Sequence, residues 1–144
     1  MIVRDATPAD LDAIMALEDE AFAPGERWSR ASWQQELAPG RCCLVGVSGD
    51  VIGVAAFSVV DSVADLNRII VAARQRGRRR AGELLASGLE RVAERGAVRT
   101  LLEVKHDNHS ALRLYARHGF TEIARRRDYY GPGADALILE VTHV

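Results

Sequence analysis

The sequence lacks a long apolar segment, a cysteine framework and an interdomain linker, and each absence excludes a class of protein. The longest apolar stretch, residues 51–60, is about half the length of a helix that spans a bilayer. No charged and then apolar leader opens the chain, which argues against a secretion signal. We therefore expect a soluble cytoplasmic protein that binds no membrane.

Cysteine and histidine are too few and too poorly spaced for a stapled or metal-bound fold. The two cysteines, Cys42 and Cys43, are adjacent, so ordinary bridge geometry between them is awkward. The four histidines form no pair with zinc-site spacing. We expect two buried, reduced thiols and no metal.

No Pro/Gly/Ser-rich linker divides the 144 residues, so we expect one domain over residues 1–144. Strand and helix patterns alternate in the order β-α-α-β-β-β-α-β-α-β-β, which indicates mixed α/β structure. Thr7 to Asp10 and Ser29 are the expected helix caps. The predicted strands are 1–4, 42–47, 51–60, 66–71, 100–104, 121–127 and 137–141, and the predicted helices are 8–22, 29–37, 82–95 and 110–118.

Charge is divided unevenly along the chain although the net charge is only −1. Residues 1–60 carry nine acids and four bases, whereas residues 61–144 carry eleven acids and fifteen bases. Lys105 is the only lysine, and five arginines lie between Arg74 and Arg80. Such a cluster can bind phosphate or nucleic acid, or it can be a solvated face.

The arginine cluster lies between a predicted strand, residues 67–71, and a helix that begins near Gly82. A basic turn of small residues at a helix N-terminus offers unpaired backbone N–H groups and a partial positive charge to an anion. The turn has neither the Walker pattern nor the Gly-x-Gly-x-x-Gly pattern of dinucleotide folds. Taken alone, it fits pyrophosphate binding and a solvated helix start equally well.

Two further segments carry residues that are unusual for their setting. Glu103 is a carboxylate in an apolar strand, which is costly unless the charge has a partner or points to water at the end of the sheet. Residues 108–120 form a capped amphipathic helix with a stop at Gly119, in which Tyr115 could be an ordinary core aromatic.

Together these three segments resemble the GNAT superfamily of acyl-CoA-dependent N-acetyltransferases over essentially the whole chain. Finer features resemble its RimI-type ribosomal-protein-alanine N-acetyltransferases: Trp28-Ser29, Leu102-Glu103-Val104, Asn108-x-x-Ala111-x-x-Leu114-Tyr115 with Gly119-Phe120, and Arg127-x-Tyr129-Tyr130 followed by Asp135-Ala136. The resemblance implies a mixed, mostly antiparallel central sheet of about seven strands flanked by about four helices. It also implies acetyl-CoA as cosubstrate.

The resemblance assigns Glu103 as general base and Tyr115 as general acid for direct attack of an amine in a ternary complex. The implied acetyl-CoA contacts are Ile69, Ile70 and Val71 toward the thioester and pantetheine, Arg76, Gly77, Arg78, Arg79, Arg80, Ala81 and Gly82 around the pyrophosphate, and Asn108 beside the CoA arm. The implied substrate contacts are Glu20, Glu26, Tyr129 and Tyr130. We expect the substrate to be the N-terminal alanine of a small-subunit ribosomal protein, with no direct nucleic-acid binding, and the protein to be a monomer.

Two positions depart from the family pattern. The pyrophosphate motif, counted from Arg76 to Ala81, has Arg79 where glycine is expected. We expect Arg79 to adopt ordinary helical angles with its side chain turned outward. Ala134 stands where these enzymes often carry an acid.

Reference pKa values favour an α-amine over a lysine as the acceptor. An α-amine titrates at about 7.7–8.0 and is partly neutral at pH 7, whereas lysine titrates near 10.4. The pKa of a thiol, about 8.5, is only modestly below the pKa of tyrosine, about 10, so protonation of the thiolate by Tyr115 is modestly uphill. The alternatives are nucleic-acid binding by the arginines, a CoA sensor without catalysis, and acetylation of an antibiotic, a polyamine or an internal lysine.

Overall fold

The computed structural model describes residues 1–143, whose strands form one seven-stranded sheet. The strands are β1 (Ile2–Asp5), β2 (Cys42–Ser48), β3 (Asp50–Val60), β4 (Val63–Val71), β5 (Arg99–Lys105), β6 (Thr121–Arg126) and β7 (Ala136–Thr142). Their order in the sheet is β1-β2-β3-β4-β5-β7-β6. Only β4 and β5 pair in parallel among the described strands.

The α-helices of the described chain are α1 (Leu11–Ala21), α2 (Arg30–Glu36), α3 (Arg80–Glu94) and α4 (His109–Arg117). None of them is long and apolar enough to cross a membrane. The predicted mostly antiparallel sheet of seven strands with four helices is confirmed.

The sheet separates two apolar clusters, one under each helix pair. Residues of α1 and α2, including Ile14 and Trp33, pack on one face, and residues of α3 and α4, including Leu84, pack on the other. Successive strand residues point to opposite faces, so Cys42 joins the second cluster and Cys43 the first. Both are free, buried thiols, as predicted, and burial raises their pKa values, that of Cys43 to about 12.

The parallel strands β4 and β5 pair over only three residues and then separate. Val63 to Asp65 face Arg99 to Leu101, but β4 continues to Val71 and β5 to Lys105 without facing each other. In β4, Asn67 is an extra residue, because Ala56 faces Arg68 while Phe57 faces Leu66. This bulge bends β4 at the point where the sheet opens.

Several predicted boundaries were wrong by a few residues for local reasons. β4 begins at Val63 rather than at Leu66, because a tight turn through Asp61, whose φ is 55°, pairs Val60 with Val63. The first predicted helix is divided: Pro8–Asp10 form a 3-10 turn, and α1 follows. The caps themselves are confirmed: the Asp10 carboxylate accepts from the Thr7 N–H at 2.8 Å, and Ser29 Oγ accepts from Ser32 N–H at 3.1 Å.

Helix α3 lies unusually close to β3 because its central residue, Gly88, has no side chain. A Cβ placed on Gly88 would overlap the ring of Phe57, which is fully buried in β3. Glycine is unfavourable within a helix by about 1 kcal/mol relative to alanine, so its presence here reflects this close approach. The contact fixes α3, and with it the turn that precedes α3, against the sheet.

Candidate active site

A cleft of about 1050 Å³ lies where β4 and β5 separate. Its walls come from the end of α1, the last residues of β4, the turn before α3, and α4. The lining includes Ala21, Phe22, Ile69, Ile70, Val71, Gln75, Arg76, Gly77, Arg79, Arg80, Ala81, Gly82, Asn108, Tyr115, Arg117 and His118. Of the predicted acetyl-CoA contacts, Arg78 alone is absent from this lining. The structure therefore brings together almost all of the predicted cofactor residues.

The turn before α3 directs the helix N-terminus into the cleft. Gly77 has a φ of 79°, and Arg79, the N-cap of α3, has φ 61° and ψ 20°, so both are left-handed. The expectation of ordinary helical angles for Arg79 was wrong. The chain must reverse here without clashing, and a left-handed residue at this position achieves that reversal.

The amides at this helix start face the cleft without helical acceptors. Within the described chain, the first α3 amide with a carbonyl partner is that of Glu83, which donates to the Arg79 carbonyl at 3.2 Å. The first turn of any helix leaves its N–H groups unpaired, and the aligned peptide dipoles make that end positive. We call residues 76–82 the anion cradle, since this end of the cleft suits phosphate groups.

Arginine side chains reinforce the cradle unequally. Arg74 pairs with Asp50 at 3.6 Å, and Arg80 pairs with Glu83 at 3.4 Å. Arg76, Arg78 and Arg79 form no ion pair within residues 1–143. Arg117 and His118 of the α4 end also line the cleft, and the sequence analysis missed both. The available signal was their position at the C-terminal end of a predicted helix, where basic side chains are favoured.

Two polar atoms in the cleft wall are buried without partners among the described residues. They are Gln75 Oε1, an acceptor, and Arg80 Nε, a donor. A buried polar atom left unpaired costs about 1–3 kcal/mol, so such atoms in a cleft indicate a polar ligand. Acetyl-CoA fits this lining, because it carries a pyrophosphate for the cradle and amide N–H groups that can donate hydrogen bonds to Gln75 Oε1.

Tyr115 is both a core aromatic and a cleft residue. Its ring packs edge-on against Phe120 with centroids 5.7 Å apart, and the side chain is 7% exposed. Burial raises the pKa of Tyr115 to about 12, so its phenol stays protonated at physiological pH. The two readings of Tyr115 from the sequence are therefore compatible.

Asn108 begins α4 as its N-cap. Its Oδ1 accepts from the Ala111 N–H at 3.3 Å and from Ser110 Oγ at 3.4 Å. The side-chain oxygen thus stabilises the helix start. The amide nitrogen is the part of Asn108 that remains to donate into the cleft.

Glu103 lies on β5 beyond the point where β4 departs, and its side chain is exposed while its neighbours Leu102 and Val104 are buried. The Tyr130 hydroxyl donates to Glu103 Oε2 at 3.0 Å. Burial, followed by the adjacent Glu103 carboxylate, raises the pKa of Tyr130 to about 12. Glu103 does not line the cleft itself, and Tyr129 and Tyr130 lie with it outside the lining.

The loop that carries the tyrosine pair is fastened by two aspartates. Asp135 accepts from the Asp128 N–H at 2.9 Å and from Arg125 Nη1 at 3.2 Å, and Asp128 accepts from the Gly133 N–H at 2.6 Å. The hydrogen bond from the Asp128 N–H, followed by the Arg125 guanidinium, lowers the pKa of Asp135. The Asp-Ala pair of the sequence motif therefore anchors the loop that holds Tyr130 beside Glu103.

The two predicted acidic substrate residues differ from the other acids of the first sixty residues. Seven of those nine acids form ion pairs with arginines. Glu20 instead accepts from the Ala73 N–H at 2.7 Å, just beyond β4. The Glu26 carboxylate has no ion pair or hydrogen bond within the described chain, and it is exposed. Glu26 is therefore available to a cationic ligand.

A buried ion pair that the sequence analysis missed lies behind the cleft wall. Glu18 is fully buried and accepts from Trp33 Nε1 at 2.9 Å, from the Trp28 N–H at 3.1 Å and from Arg68. The Arg68 guanidinium lies 3.6 Å from the Phe22 ring centroid. The signal was an acid within the apolar stripe of the first helix and a lone arginine within an apolar strand, since each requires a buried partner.

A model of the Acetyltransferase (GNAT) family matches residues 11–120, which include α1, the anion cradle and Tyr115. The chain belongs to the GNAT acetyltransferase family. This confirms the resemblance drawn from the sequence and the class of enzyme that it implies, an acetyl-CoA-dependent N-acetyltransferase.

Curated relatives of this GNAT chain are moderately similar. An uncharacterised Mycobacterium leprae protein is 32% identical over 96% of the chain, which spans only 40% of that protein. A Bacillus subtilis protein provisionally named as a ribosomal protein bS18-alanine N-acetyltransferase is 29% identical, with 97% of the chain and 94% of the relative covered. The N-alpha-acetyltransferase RimI of Mycobacterium tuberculosis is 34% identical, with 92% and 87% covered.

Solved structures agree on the fold. The ribosomal-protein-S18-alanine N-acetyltransferase of Escherichia coli is 25% identical with a TM-score of 0.87, over 98% of this chain and 92% of that one. An aminoglycoside 6'-N-acetyltransferase complexed with coenzyme A is 14% identical with a TM-score of 0.88, over 99% and 97%. Because both fit equally well, the fold alone does not identify the acceptor.

Proposed function

We propose that this GNAT protein transfers the acetyl group of acetyl-CoA to the N-terminal α-amine of a protein, an alanine of a small-subunit ribosomal protein. The observation that carries the proposal is one cleft lined both by the anion cradle and by Tyr115, with Glu103 on the neighbouring strand. The cradle suits the pyrophosphate, and the separated strands leave room for the arm that carries the reacting thioester.

The ribosomal substrate is supported by the names of relatives. The Bacillus subtilis and Escherichia coli proteins are named for alanine acetylation of a ribosomal protein, and the Mycobacterium tuberculosis relative is named an N-alpha-acetyltransferase. The Tyr129-Tyr130 pair and its Asp135 anchor belong to the motif that suggested this branch from the sequence.

In this proposal Glu103 is the general base. Tyr130 occupies one carboxylate oxygen, Oε2, and so orients the group while Oε1 remains available to accept. A water molecule carries the proton from the amine, since Glu103 lies outside the cleft lining. An α-amine needs little help, because its pKa of about 7.7–8.0 leaves part of it neutral at pH 7.

Tyr115 is the general acid for the departing sulfur. The raised pKa of about 12 makes complete proton transfer to a thiolate less favourable than the sequence alone suggested. Against a thiol pKa of about 8.5, each unit of difference costs about 1.4 kcal/mol, so the transfer is uphill by about 5 kcal/mol rather than about 2. Tyr115 therefore stabilises the developing negative sulfur by a hydrogen bond before the proton moves.

The acceptor lies in this proposal between residues 20–28 and the tyrosine loop. Glu26 and Glu20 present negative charge there, and Tyr129 and Tyr130 form the opposite wall. A peptide that begins Ala-Arg meets complementary charge. If reversal of charge at both Glu20 and Glu26 leaves KM for such a peptide unchanged, these acids have no part in recognition.

The test is mass spectrometry of ribosomal proteins and a peptide panel after incubation with acetyl-CoA. We expect acetyl groups on N-terminal alanine with the wild type and a large loss of kcat with Glu103→Gln. Glu90→Gln, an exposed acid on α3 outside the cleft, is the matched control and should retain full activity. Acetylation confined to lysines, aminoglycosides or polyamines would overturn the N-terminal assignment.

The remaining expectations become part of the same proposal: one domain over residues 1–144, a monomer, and a cytoplasmic location beside nascent ribosomal proteins. Size-exclusion chromatography with light scattering tests the monomer. Cell fractionation tests the location.

A further inference from the structure

One charged side chain connects the strand that lines the cleft to the loop that faces it. Arg68, next to cleft residue Ile69 on β4, donates through Nε and Nη2 to Glu18 and through Nη2 to the Glu26 carbonyl at 3.1 Å. The flat face of its guanidinium lies 3.6 Å from the Phe22 ring centroid and 4.8 Å from that of Trp28. We call residues 22–28 the acceptor wall.

Two hydrogen bonds of this cluster hold the acceptor wall, one from the Trp28 N–H to Glu18 and one from Arg68 to the Glu26 carbonyl. Glu18 holds the wall at Trp28 N–H and also binds Trp33 Nε1 of α2. Phe22, whose ring rests on Arg68, lines the cleft beside Ile69. Displacing the guanidinium would therefore release the wall from β4 at Phe22 and Glu26, and would leave Glu18 buried without its counter-charge.

We propose that Arg68 is a positioning residue that fixes the acceptor wall across the cleft, so that acceptor binding depends on it and acetyl-CoA binding does not. The inference rests on the proposed function for the nature of the acceptor. Arginine suits the task because a guanidinium donates in its plane while both faces stack on aromatic rings, which an ammonium group cannot do.

Loss of Arg68 should affect acceptor binding and not acetyl-CoA binding, because different elements of the fold position the two sides of the cleft. The anion cradle is positioned by α3, which is fixed against β3 through Gly88 and Phe57, and Tyr115 is positioned by α4. None of the described Arg68 contacts reaches the cradle or α4. Loss of Arg68 should thus change one wall of the cleft and leave the other in place.

The experiment compares Arg68→Met and Arg68→Lys with the double variant Glu18→Gln/Arg68→Met. The double variant removes both buried charges, so it folds even if Arg68→Met alone does not. We expect KM for the Ala-Arg peptide to rise about tenfold in both Met variants, the loss typical of one charge-assisted hydrogen bond. Arg68→Lys should raise the peptide KM by less than the Met variants do. In all of these variants the Kd for acetyl-CoA and kcat should stay unchanged.

Val92→Ala is the matched control, because it removes buried volume from α3 away from the acceptor wall. It lowers stability without changing KM for the peptide. Arg68 has no positioning role if its variants leave the peptide KM unchanged, if Val92→Ala raises that KM equally, or if acetyl-CoA affinity falls in parallel.

A readout without acceptor separates this inference from the proposed function. Trp28 and Trp33, the only tryptophans, both belong to the cluster, with ring centroids 5.0 Å apart. In the double variant we expect increased acrylamide quenching and faster amide exchange over residues 22–28, with acetyl-CoA binding intact. If the wild type acetylates no peptide but these changes occur, the function fails while the positioning role stands. If quenching and exchange are unchanged, the positioning role fails.

Discussion

Replacing Arg79 separates the two contributions that this residue makes to the anion cradle. Its backbone is left-handed, with φ 61° and ψ 20°, and the exposed residue is one of those that line the cleft. Arg79→Ala removes the charge and keeps the unfavourable backbone angles. Arg79→Gly removes the charge and also relieves the backbone. The pair of variants therefore isolates the backbone contribution, and comparison of Arg79→Ala with wild type isolates the charge.

The expected magnitudes follow from the backbone and from the exposure of the side chain. A residue other than glycine is destabilised by about 1–2 kcal/mol in the left-handed conformation. Glycine avoids this strain but is itself destabilising by about 0.5–1 kcal/mol, because it has more conformational freedom in the unfolded chain. Arg79→Gly should thus be about 0.5–1 kcal/mol more stable than Arg79→Ala in urea unfolding. Loss of an exposed charge is worth at most about 1 kcal/mol, so both variants should bind CoA up to about fivefold more weakly.

Isothermal titration of CoA at low and high salt measures the charge contribution, with Arg79→Lys as the control that keeps a cation. The difference in CoA affinity between wild type and Arg79→Ala should become smaller at high salt, because salt screens the attraction between the arginine and the phosphate groups. Equal stability of the Gly and Ala variants would refute the backbone argument. Unchanged CoA affinity of Arg79→Ala at low salt would refute the phosphate contact.

Three further predictions concern packing and pH. Gly88→Ala should destabilise the protein by about 1–2 kcal/mol in urea unfolding, because overlap with Phe57 outweighs the better helix propensity, and equal stability would contradict the close packing. The Arg4 guanidinium, followed by the Thr7 N–H, lowers the pKa of Asp10. The Asp10 carboxylate therefore contributes stability above its ordinary pKa of about 3.9, and this contribution is lost as the pH falls through the lower pKa of the folded protein. Asp10→Asn should lower the free energy of unfolding by about 1–2 kcal/mol at pH 7 and by progressively less in acid. Because Tyr115 titrates at about 12, kcat/KM should rise through the acceptor amine pKa of about 7.7–8.0 and show no decline below pH 10, whereas an earlier decline would exclude Tyr115 as the only acid.

The element order and most of the cleft could be predicted because they depend on local patterns. Caps at Asp10 and Ser29, alternating strands and the basic turn before α3 are readable within a few residues of sequence. The predicted cofactor residues cluster because they sit at the end of β4 and the start of α3, whose connection is short. Arg78 is the one member of that set that the cleft lining does not include.

What could not be predicted depends on contacts between distant segments or on backbone strain. The Glu18–Arg68 pair joins residues fifty positions apart, and neither residue identifies the other. The left-handed angles of Arg79 contradict the usual preference of an L-residue, so a local rule favours the wrong conformation. The bond between Tyr130 and Glu103 depends on the pairing of β5 with β7, which no short pattern determines.

The uneven distribution of charge along the chain has a different meaning in three dimensions. Along the sequence, residues 1–60 carry an excess of acids and residues 61–144 an excess of bases. In the structure, three acids of the first sixty residues pair with arginines of the remainder, Asp5 with Arg91, Glu18 with Arg68 and Asp50 with Arg74, and four pair with arginines among the first sixty residues themselves. The three longer-range pairs connect β1 to α3, α1 to β4, and β3 to the turn that follows β4.

The two acids predicted to bind substrate and two arginines of the anion cradle carry charges that no ion pair neutralises within the described chain. Glu20 and Glu26 on one side and Arg76 and Arg79 on the other form no ion pair within residues 1–143. Paired acids such as Asp12, which binds Arg30 at 2.6 Å, contribute little field because their partners cancel them. Neutralising Asp12 should therefore leave the peptide KM unchanged although it alters the net charge as much as Glu26→Gln does. A comparison of these two variants distinguishes recognition by local unpaired charge from attraction by the overall charge of the N-terminal region.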